Sequence, residues 1–376
     1  MFFGRLTQPR TSLRSTFLTV IPAQGGIHKL SQVEWCYGFP PARERQGLEF
    51  ASHRKWLPLS VVLAAIGAVT PAQAADTYPT RAIRMIVPFS AGGAADIIAR
   101  LMGAKLTDAL GQSIVIDTRP GGGTVLGTEL LARASPDGYT LGMLATSLAV
   151  NAGLLAKTPY DPLKDFAPIT LAVDTPLIIV VPASLPVKNL HELIAMAKAK
   201  PNSVTYGSSG QGTSGHLANE MLSYRTGIKM MHVPYKGAGQ ALIDLLGAQI
   251  QMVCTSTLPA LPHVRSGQLR GLAVTTAART RAAPEIPTVA EAAALPGYRA
   301  STWYAMFAPA RTPAPVIATL HRAATQALKT PAVVEQLVAQ GGDPIGNSPD
   351  ELRQFLQTEM ELWIKVIRQA GIRPNA

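Results

Sequence analysis

Residues 83–110 read IRMIVPFSAGGAADIIARLMGAKLTDAL. The first part, Ile83–Phe89, predicts a strand, whereas Ala94–Leu110 has the length and pattern of a helix that Gly111 ends. The same alternation continues along the chain, with strands expected at 113–117 and 139–144 and a helix at 124–134. Strands that alternate with helices of about 10–15 residues indicate βαβ units around a parallel sheet.

The alternation begins again after Pro182, which predicts a second sheet and not one very wide sheet. Here we expect, in chain order, helix 189–199, strand 204–206, helix 213–226, strand 230–234, helix 238–246, and strands 250–254 and 270–275. Near the end we expect a helix at 316–329 and a last helix to about Ala370, which opens with the capping box Ser348–Glu351.

The chain should pass between the two sheets in its apolar stretches, which are residues 169–173 with 177–181, and residues 302–308. These elements predict an α/β protein of two lobes, with a cleft between them where a small ligand can bind. We divide the chain into 1–74, a leader and signal peptide; 75–178, the first part of lobe 1; 179–300, lobe 2; and 301–376, the return to lobe 1.

Composition excludes several classes of protein. The chain has 376 residues, of which 47% are hydrophobic and 15% charged, so it is not a disordered chain. Two cysteines cannot form a disulfide scaffold or a zinc cluster. No apolar run reaches the roughly 20 residues that span a bilayer. The net charge of +11 suggests an anionic partner.

Much of that charge lies in a predicted signal peptide. Arg54 and Lys55 precede the apolar stretch Leu57–Val69, and Ala72-Gln73-Ala74 follows as a small-x-small cleavage site, so we expect export and cleavage after Ala74. Residues 1–53 are unusual, and either the true start lies further along or the leader is long. Eight Lys/Arg and three acids lie in residues 1–74, which leaves 26 against 20 and a charge of +6. Cys254 remains alone and is interpreted as a small buried hydrophobe.

Two glycine-rich loops, Pro88–Asp96 and Tyr206–His216, each connect a predicted strand to a helix. Glycine lets the backbone approach a ligand closely, and the free N–H groups and dipole of a helix N-terminus favour an anion. The Ser and Thr hydroxyls of these loops add hydrogen bonds. The sequence therefore predicts an anion site made from two loops in separate lobes.

Other interpretations of the glycine-rich segments fail on spacing. Gly207–Gln211 lacks the last glycine of a nucleophile elbow, Gly207–Thr213 lacks the lysine of a P-loop, and Gly121–Gly127 spaces its last glycine wrongly for a dinucleotide site. His216 is expected to pack behind its loop, and the other histidines have no metal-ligand spacing. We therefore expect no catalytic residue, no cofactor and no metal. The spread of Lys and Arg predicts no nucleic-acid binding.

A series of ordered motifs, which runs from Tyr78 to the C-terminus, points to one family. They are Tyr78-Pro79, Ile86–Phe89 with Gly92-Gly93 and Asp96, Arg119–Gly121, Pro136–Leu141, Tyr160–Pro162, Asp165-Phe166, Gly207–Gly210 with Gly212-Thr213, His216-Leu217, Val233–Gly237 and Phe307–Ala310. In these motifs the chain resembles the extracytoplasmic solute receptors of tripartite tricarboxylate transporters, often called Bug proteins.

The resemblance implies a two-lobed periplasmic binding protein fold of type II, the Venus-flytrap fold. It implies that the lobes close over a small organic carboxylate, which is held at the two loops partly through ordered waters. The ligand-binding residues carried over are Phe89, Ser90, Ala91, Gly92, Gly93, Asp96, Ser208, Ser209, Gly210 and Thr213. Asp96 should orient its loop more than touch an anion, because an unpaired carboxylate would repel the ligand.

The residues that select the ligand are expected after the strands predicted at 139–144 and 250–254. Ser147 and Asn151, with Thr146 as a further candidate, lie where the family places ligand-facing residues. Thr255, Ser256 and Thr257 are neutral hydroxyl residues where many relatives have an acidic residue followed by Asn, which disfavours a ligand with an amino group. Tyr235 and Tyr304 are each expected to line the cleft or to pack in the core.

The resemblance also implies partners: the membrane permease subunits of a tripartite transporter, with the receptor as a monomer. Two alternatives stay open at this point. One is a receptor that serves a sensor kinase, and the other, less favoured, is a hydrolase or lyase on an α/β scaffold.

Overall fold

The computed structural model describes residues 78–369, so the predicted leader, the signal peptide and the last residues lie outside the described part. Its strands are β1 (Ile83–Val87), β2 (Ile114–Thr118), β3 (Thr140–Ala145), β4 (Phe166–Pro182), β5 (Thr205–Ser208), β6 (Met231–Pro234), β7 (Met252–Ser256), β8 (Leu269–Val274), β9 (Ser301–Pro309) and β10 (Asp343–Pro344).

The helices are α1 (Ala94–Leu110), α2 (Val125–Ala132), α3 (Ser147–Leu154), α4 (Leu190–Ala199), α5 (Ser214–Thr226), α6 (Ala238–Leu246), α7 (Thr257–Arg265), α8 (Val289–Ala292), α9 (Ala314–Leu328), α10 (Pro331–Ala339) and α11 (Pro349–Gln369). No helix among residues 78–369 is both long and apolar enough to cross a membrane.

The first sheet forms around β1, which pairs in parallel with both β2 and β3. Alternate residues of β1 point to opposite faces, and apolar side chains of the strand are buried on both. Met85 packs with α1 in one core cluster, and Ile86 packs with Leu131 of α2 in another. β9 then runs antiparallel to β3. Helices thus cover both faces of this sheet, as in other α/β folds.

A second sheet forms around β5, which pairs in parallel with β6 and β7. Its core clusters contain apolar residues of α4, α5, α6 and α7, among them Leu193, Leu222, Leu245 and Leu261. The carboxyl ends of β1 and β3 and those of β5 and β7 are where ligands bind in such sheets.

One long strand, β4, runs through both sheets, so the chain passes between them at residues 169–173 with 177–181 as predicted. The prediction of two separate sheets is wrong, because β4 makes the strand order continuous. Residues Phe166–Pro176 of β4 pair with β9, and Leu177–Pro182 pair with β7 and β8. The strand order is therefore continuous, β2-β1-β3-β9-β4-β7-β5-β6, with β8 and β10 also on β4. The strand stays extended across both sheets because each half finds its own antiparallel partners.

Several helix ends follow the predicted chemistry. The Asn189 side chain accepts a hydrogen bond from the Glu192 N–H at 2.9 Å, and Ser348 N–H donates to the Glu351 carboxylate at 2.7 Å. Gly111 and Gly227 end α1 and α5 with positive φ of 67° and 72°.

Other bounds differ from the predictions. Strand β1 ends at Val87, two residues before the predicted end. The helix predicted from residue 124 begins at Val125, after a short 3₁₀ turn of residues with positive φ. Strand β7 lies two residues later than predicted, and helices α3, α7, α8 and α10 have no predicted counterpart. Helices α3 and α7 matter most, because both begin at the candidate site.

Candidate functional site

A small cavity of about 20 Å³ lies where the carboxyl ends of the two sheets face each other. β1 and β3 end on one side of it, and β5 and β7 end on the other. Its lining residues are Phe89, Ala145, Ser147, Leu177, Ser209, Thr213, Ser214, Gly215, Cys254, Thr255, Ser256, Thr302 and Tyr304. We call this space the inner cavity.

Three helices begin at the wall of the inner cavity. Ser147 is the first residue of α3, Ser214 and Gly215 are in the first turn of α5, and Ser256 is the N-cap of α7. The first N–H groups of a helix have no partner within the helix, and they carry the positive end of the helix dipole. No charged side chain lines the cavity. Its electrostatic character is therefore set by helix N-termini, which favour an anion.

Hydroxyl groups also line this wall, and those of Ser147 and Tyr304 can donate into it. Ser147 Oγ accepts a hydrogen bond from Thr124 Oγ1 at 2.9 Å, which leaves its own hydrogen free to donate elsewhere. Thr213 Oγ1 donates to the Gly210 carbonyl at 2.7 Å, and Ser256 Oγ lies 2.8 Å from Thr175 Oγ1. Burial raises the pKa of Tyr304, so its phenol stays neutral and can donate.

The first glycine-rich loop is held from both lobes. Asp96 accepts a hydrogen bond from the Gly92 N–H at 3.0 Å and pairs with Arg100, so its carboxylate orients the loop and is neutralised there. Ser90 N–H donates to the carbonyl oxygen of Lys236 at 2.9 Å, which ties the loop to the segment before α6. Phe89 is the residue of this loop that lines the inner cavity.

The second glycine-rich loop has a buried layer of rings behind it. Ser208 is fully buried, and its Oγ lies 2.7 Å from His232 Nε2. The His232 ring stacks on His216 with centroids 4.4 Å apart, and His216 Nδ1 accepts a hydrogen bond from the Gly212 N–H at 3.4 Å. Burial lowers the pKa of each histidine to about 4, so both rings are neutral at pH 7.

Residues 98–372 match the family described as the tripartite tricarboxylate transporter family receptor, TctC. The chain belongs to this receptor family. Protein BugT of Bordetella pertussis is 39% identical over 317 residues, which cover 84% of this chain and 97% of BugT.

Two solved structures carry ligands in their descriptions. Rpa4515 of R. palustris with adipate is 34% identical, has a TM-score of 0.77, and is matched over 79% of this chain and 100% of its own. MatC of Rhodopseudomonas palustris with bound malate is 30% identical, has a TM-score of 0.74, and is matched over 77% of this chain and 100% of its own. The predicted family and the predicted two-lobed periplasmic binding protein fold are confirmed.

The structure of this TctC-family receptor brings some predicted ligand residues to the inner cavity. They are Phe89, Ser147, Ser209, Thr213 and Thr255, and the undecided Tyr304 joins them. Other predicted residues lie elsewhere. Ala91 and Gly92 are exposed on an outer groove, Ser90 packs on Gly237, Gly93 caps α1, and Ser208 faces inward to His232.

The inner cavity also has residues that were not among the predicted ligand-binding residues. They are Ala145, Leu177, Ser214, Gly215, Cys254, Ser256 and Thr302. Leu177 and Thr302 come from the antiparallel strands β4 and β9, where the sequence predicted the passages between the sheets and no ligand-binding residue. The candidate Thr146 does not line the inner cavity. Its Oγ1 instead accepts a hydrogen bond from the Trp303 N–H. Burial raises the pKa of Cys254 to about 12, so its thiol stays protonated.

A second, larger cavity of about 400 Å³ adjoins the inner one, and we call it the outer cavity. Ser209 lines both cavities. The outer cavity also contains the predicted residues Asn151 and Gly210 and the undecided Tyr235. Asn151 Nδ2 donates to the Gly123 carbonyl at 3.0 Å, so its side chain holds the wall of the cavity. Within residues 78–369 no group of three or more His, Cys, Asp or Glu could hold a metal ion.

Proposed function

We propose that this receptor binds a small organic carboxylate in the periplasm and delivers it to the permease of a tripartite transporter. The observation that carries the proposal is the meeting of three helix N-termini at a cavity that no charged side chain lines. One carboxylate in this space would accept hydrogen bonds from backbone N–H groups and hydroxyls, with no requirement for a salt bridge. Affinities in the nanomolar to micromolar range, roughly −8 to −12 kcal/mol, are expected.

The relatives and the cavity wall support this ligand class. Adipate and malate, the ligands named for two similar receptors, are both carboxylates. In this chain Thr255 and Ser256 supply neutral hydroxyls, and the inner cavity has no carboxylate that could bind an ammonium group. An acid without an amino group is therefore favoured over an amino acid.

We further infer that the protein binds without turnover. Among residues 78–369, the one pairing with a nucleophile–base geometry is Ser208 with His232, but Ser208 is fully buried and the lowered pKa of His232 makes it a weak base. A ligand in the inner cavity would meet Ser209 and Thr213, not Ser208.

We keep three further statements as proposals: export with cleavage after Ala74, action as a monomer, and the lobe limits 75–178, 179–300 and 301–376. N-terminal sequencing of the exported protein tests the first. The change of partners within β4, from β9 to β7 and β8 at Leu177, supports the limit near residue 178. Genes for permease subunits beside this one would favour transport over a sensor kinase.

Binding can be tested by thermal unfolding of refolded protein with mono-, di- and tricarboxylates, amino acids and nicotinate. A ligand that binds only the folded state stabilises it by RT ln(1 + [L]/Kd), about 2.7 kcal/mol at a hundredfold excess over Kd. We expect carboxylates to raise Tm and amino acids to have little effect. The proposal is wrong if no carboxylate changes the Tm of the folded protein.

A variant pair locates the binding. Ser147→Ala removes a donor from the inner cavity, and we expect carboxylate affinity to fall about five- to tenfold. Ser266→Ala is the control. It removes an exposed hydroxyl at the end of α7 that is opposite the inner cavity, and it should leave the affinity unchanged. Equal affinities of the two variants in calorimetry would place the ligand outside the inner cavity.

A further inference from the structure

Thr124, the N-cap residue of α2, has a backbone conformation that its side chain disfavours. Its φ is +80° and its ψ is −9°, in the left-handed region. This region suits glycine, whereas a β-branched residue is rarely found there, because its side chain crowds the backbone. The three residues before it are glycines with positive φ, so a fourth glycine would fit this turn without strain. Strain of this kind is found at ligand sites, where the side chain has a use.

The Thr124 hydroxyl does not cap its own helix. A threonine at an N-cap ordinarily accepts a hydrogen bond from an N–H group of the first helical turn. Within α2, whose residues Val125–Ala132 the structure describes in full, Thr124 makes no such bond. Its Oγ1 donates instead to Ser147 Oγ at 2.9 Å. Each of the two residues is only 3% exposed, so this bond is shielded from solvent.

This bond fixes what the Ser147 hydroxyl can do. Ser147 is the first residue of α3 and lines the inner cavity. A hydroxyl has one hydrogen to donate and two lone pairs that accept. Because the Ser147 oxygen already accepts the hydrogen of Thr124, its own hydrogen is free to point into the cavity. Ser147 is thus presented as a donor, which is what a carboxylate oxygen requires.

The turn that carries Thr124 is held from three directions. Asn151 Nδ2 donates to the Gly123 carbonyl at 3.0 Å. Thr128 Oγ1 donates to the Thr124 carbonyl at 2.9 Å. On the third side Gly123 packs on the second glycine-rich loop, where an added Cβ would overlap the carbonyl oxygen of Gln211. The strained conformation is therefore imposed by its surroundings, which also keep the hydroxyl in place.

We propose that Thr124 is a positioning residue of the carboxylate site, which makes the Ser147 hydroxyl a donor into the inner cavity. Thr124 is not part of the lining of that cavity, so it acts through Ser147 and not by contact with a ligand there. This inference rests on the proposed carboxylate-binding function and deepens it, because it names the residue that sets the direction of one hydrogen bond to the ligand. The ligand group is one that only accepts hydrogen bonds, as an ionised carboxylate does.

The test is a double-mutant cycle, with affinity measured by calorimetry on refolded protein and with acetate, malate, adipate and citrate as probes. Thr124→Val keeps the branched shape and removes the hydroxyl, whereas Thr124→Ser keeps the hydroxyl. Ser147→Ala removes the acceptor, and the double variant completes the cycle. Thr312→Val is the control, because Thr312 is also buried and lines neither cavity. Its Oγ1 donates to the Pro309 carbonyl at 2.7 Å.

We expect Thr124→Val to weaken carboxylate binding at least about threefold, and Thr124→Ser to stay within about twofold of the wild type. In the Ser147→Ala background, Thr124→Val should change the affinity less than about twofold, because the hydroxyl that it removes then has no partner. A purely structural role of Thr124 would give the same loss in both backgrounds. Thr312→Val should leave the affinity unchanged.

Thr124→Gly is a second variant, for the case in which Thr124→Val does not fold. Glycine adopts the positive φ without strain but lacks the hydroxyl, so this variant should also bind carboxylates at least about threefold more weakly.

Two outcomes overturn the inference while the proposed function stands. One is that the variants without the Thr124 hydroxyl bind as tightly as the wild type, and the other is that Thr124→Val causes an equal loss with and without the Ser147 hydroxyl. If the wild type binds none of these acids, the proposed function and this inference are both wrong.

Discussion

Gly215 shows how one residue shapes the inner cavity. It lies in the first turn of α5 and packs on β7, where a Cβ would overlap the carbonyl oxygen of Cys254. The start of α5 can therefore approach the end of β7 closely enough for both to line the inner cavity. The sequence showed a glycine-rich loop, but the close approach that requires this particular glycine is visible only between the two elements.

Gly215→Ala should destabilise the protein and weaken ligand binding. The added methyl must push α5 away from β7, and such overpacking costs about 1–3 kcal/mol. Urea unfolding measures the free energy of unfolding, and calorimetry measures the affinity.

Gly103→Ala in α1 is the matched control. The atom nearest to its new Cβ would be the flexible Ile116 Cδ1 at 3.2 Å, and alanine is favoured over glycine in a helix by up to about 1 kcal/mol. If Gly215→Ala is as stable as Gly103→Ala and binds as well, the close contact has no role.

At the scale of elements, predictions succeeded where the signal is local. Asn189, the Ser348 capping box and the glycines after α1 and α5 mark helix ends by chemistry within a few residues. Helix α3 was missed, since its sequence is a short apolar run that follows a strand directly. The two-residue shift of β7 put Thr255 at the strand end, where it lines the inner cavity.

The rings between β5, β6 and α5 predict a dependence of stability on pH. Tyr206 stacks on His232, which stacks on His216, and the Tyr206 hydroxyl donates to Glu220. The folded pKa of each histidine is about 4, below the unfolded value of about 6.5. The unfolded chain therefore takes up protons first, so stability is full above pH 6.5 and is lost as pH falls toward 4.

This loss amounts to at most about 3 kcal/mol for each histidine. His232→Gln and His216→Gln should each make the decline in unfolding free energy between pH 6.5 and 4 shallower. His191→Gln, at an exposed position, should retain the wild-type slope. Identical slopes for all four proteins in urea unfolding would contradict the assignment.

At the scale of the whole molecule, the two sheets touch through backbone. Gly92 approaches the Gly239 Cα, with 3.8 Å to an added Cβ, and a Cβ on Gly237 would lie 2.8 Å from Ser90 N and would overlap Ser90 Oγ. At the outer cavity, a Cβ added to Gly210 would lie 3.7 Å from the Gly123 Cα. These contacts close the space around the ligand site.

Gly237→Ala should hold the sheets apart and weaken carboxylate binding at least about fivefold, which is about 1 kcal/mol. The methyl group would also strain the hydrogen bond from Ser90 to Lys236. Calorimetry gives the affinity, and small-angle scattering should show a larger radius of gyration.

Gly247→Ala, at the other end of α6, is the control for this change. Its φ is −79°, and its nearest neighbours would be 3.6 Å or more from the new Cβ. Binding of wild-type strength by Gly237→Ala would show that the contact does not control closure.

The sequence by itself determined the α/β class, most of the helices and strands, the two glycine-rich loops and the receptor family. These follow from hydrophobic periodicity, helix caps and ordered motifs, which are written in neighbouring residues. Ser209 and Thr213 could be predicted as site residues for this reason, because they lie within such a loop.

Only the tertiary structure decided that β4 joins both sheets and that three helices begin at one cavity. Each of these features depends on residues far apart in the chain, such as Thr175 and Ser256, whose hydroxyls lie 2.8 Å apart. Burial and pairing of this kind arise from the packing of whole sheets against each other, and no local pattern encodes them.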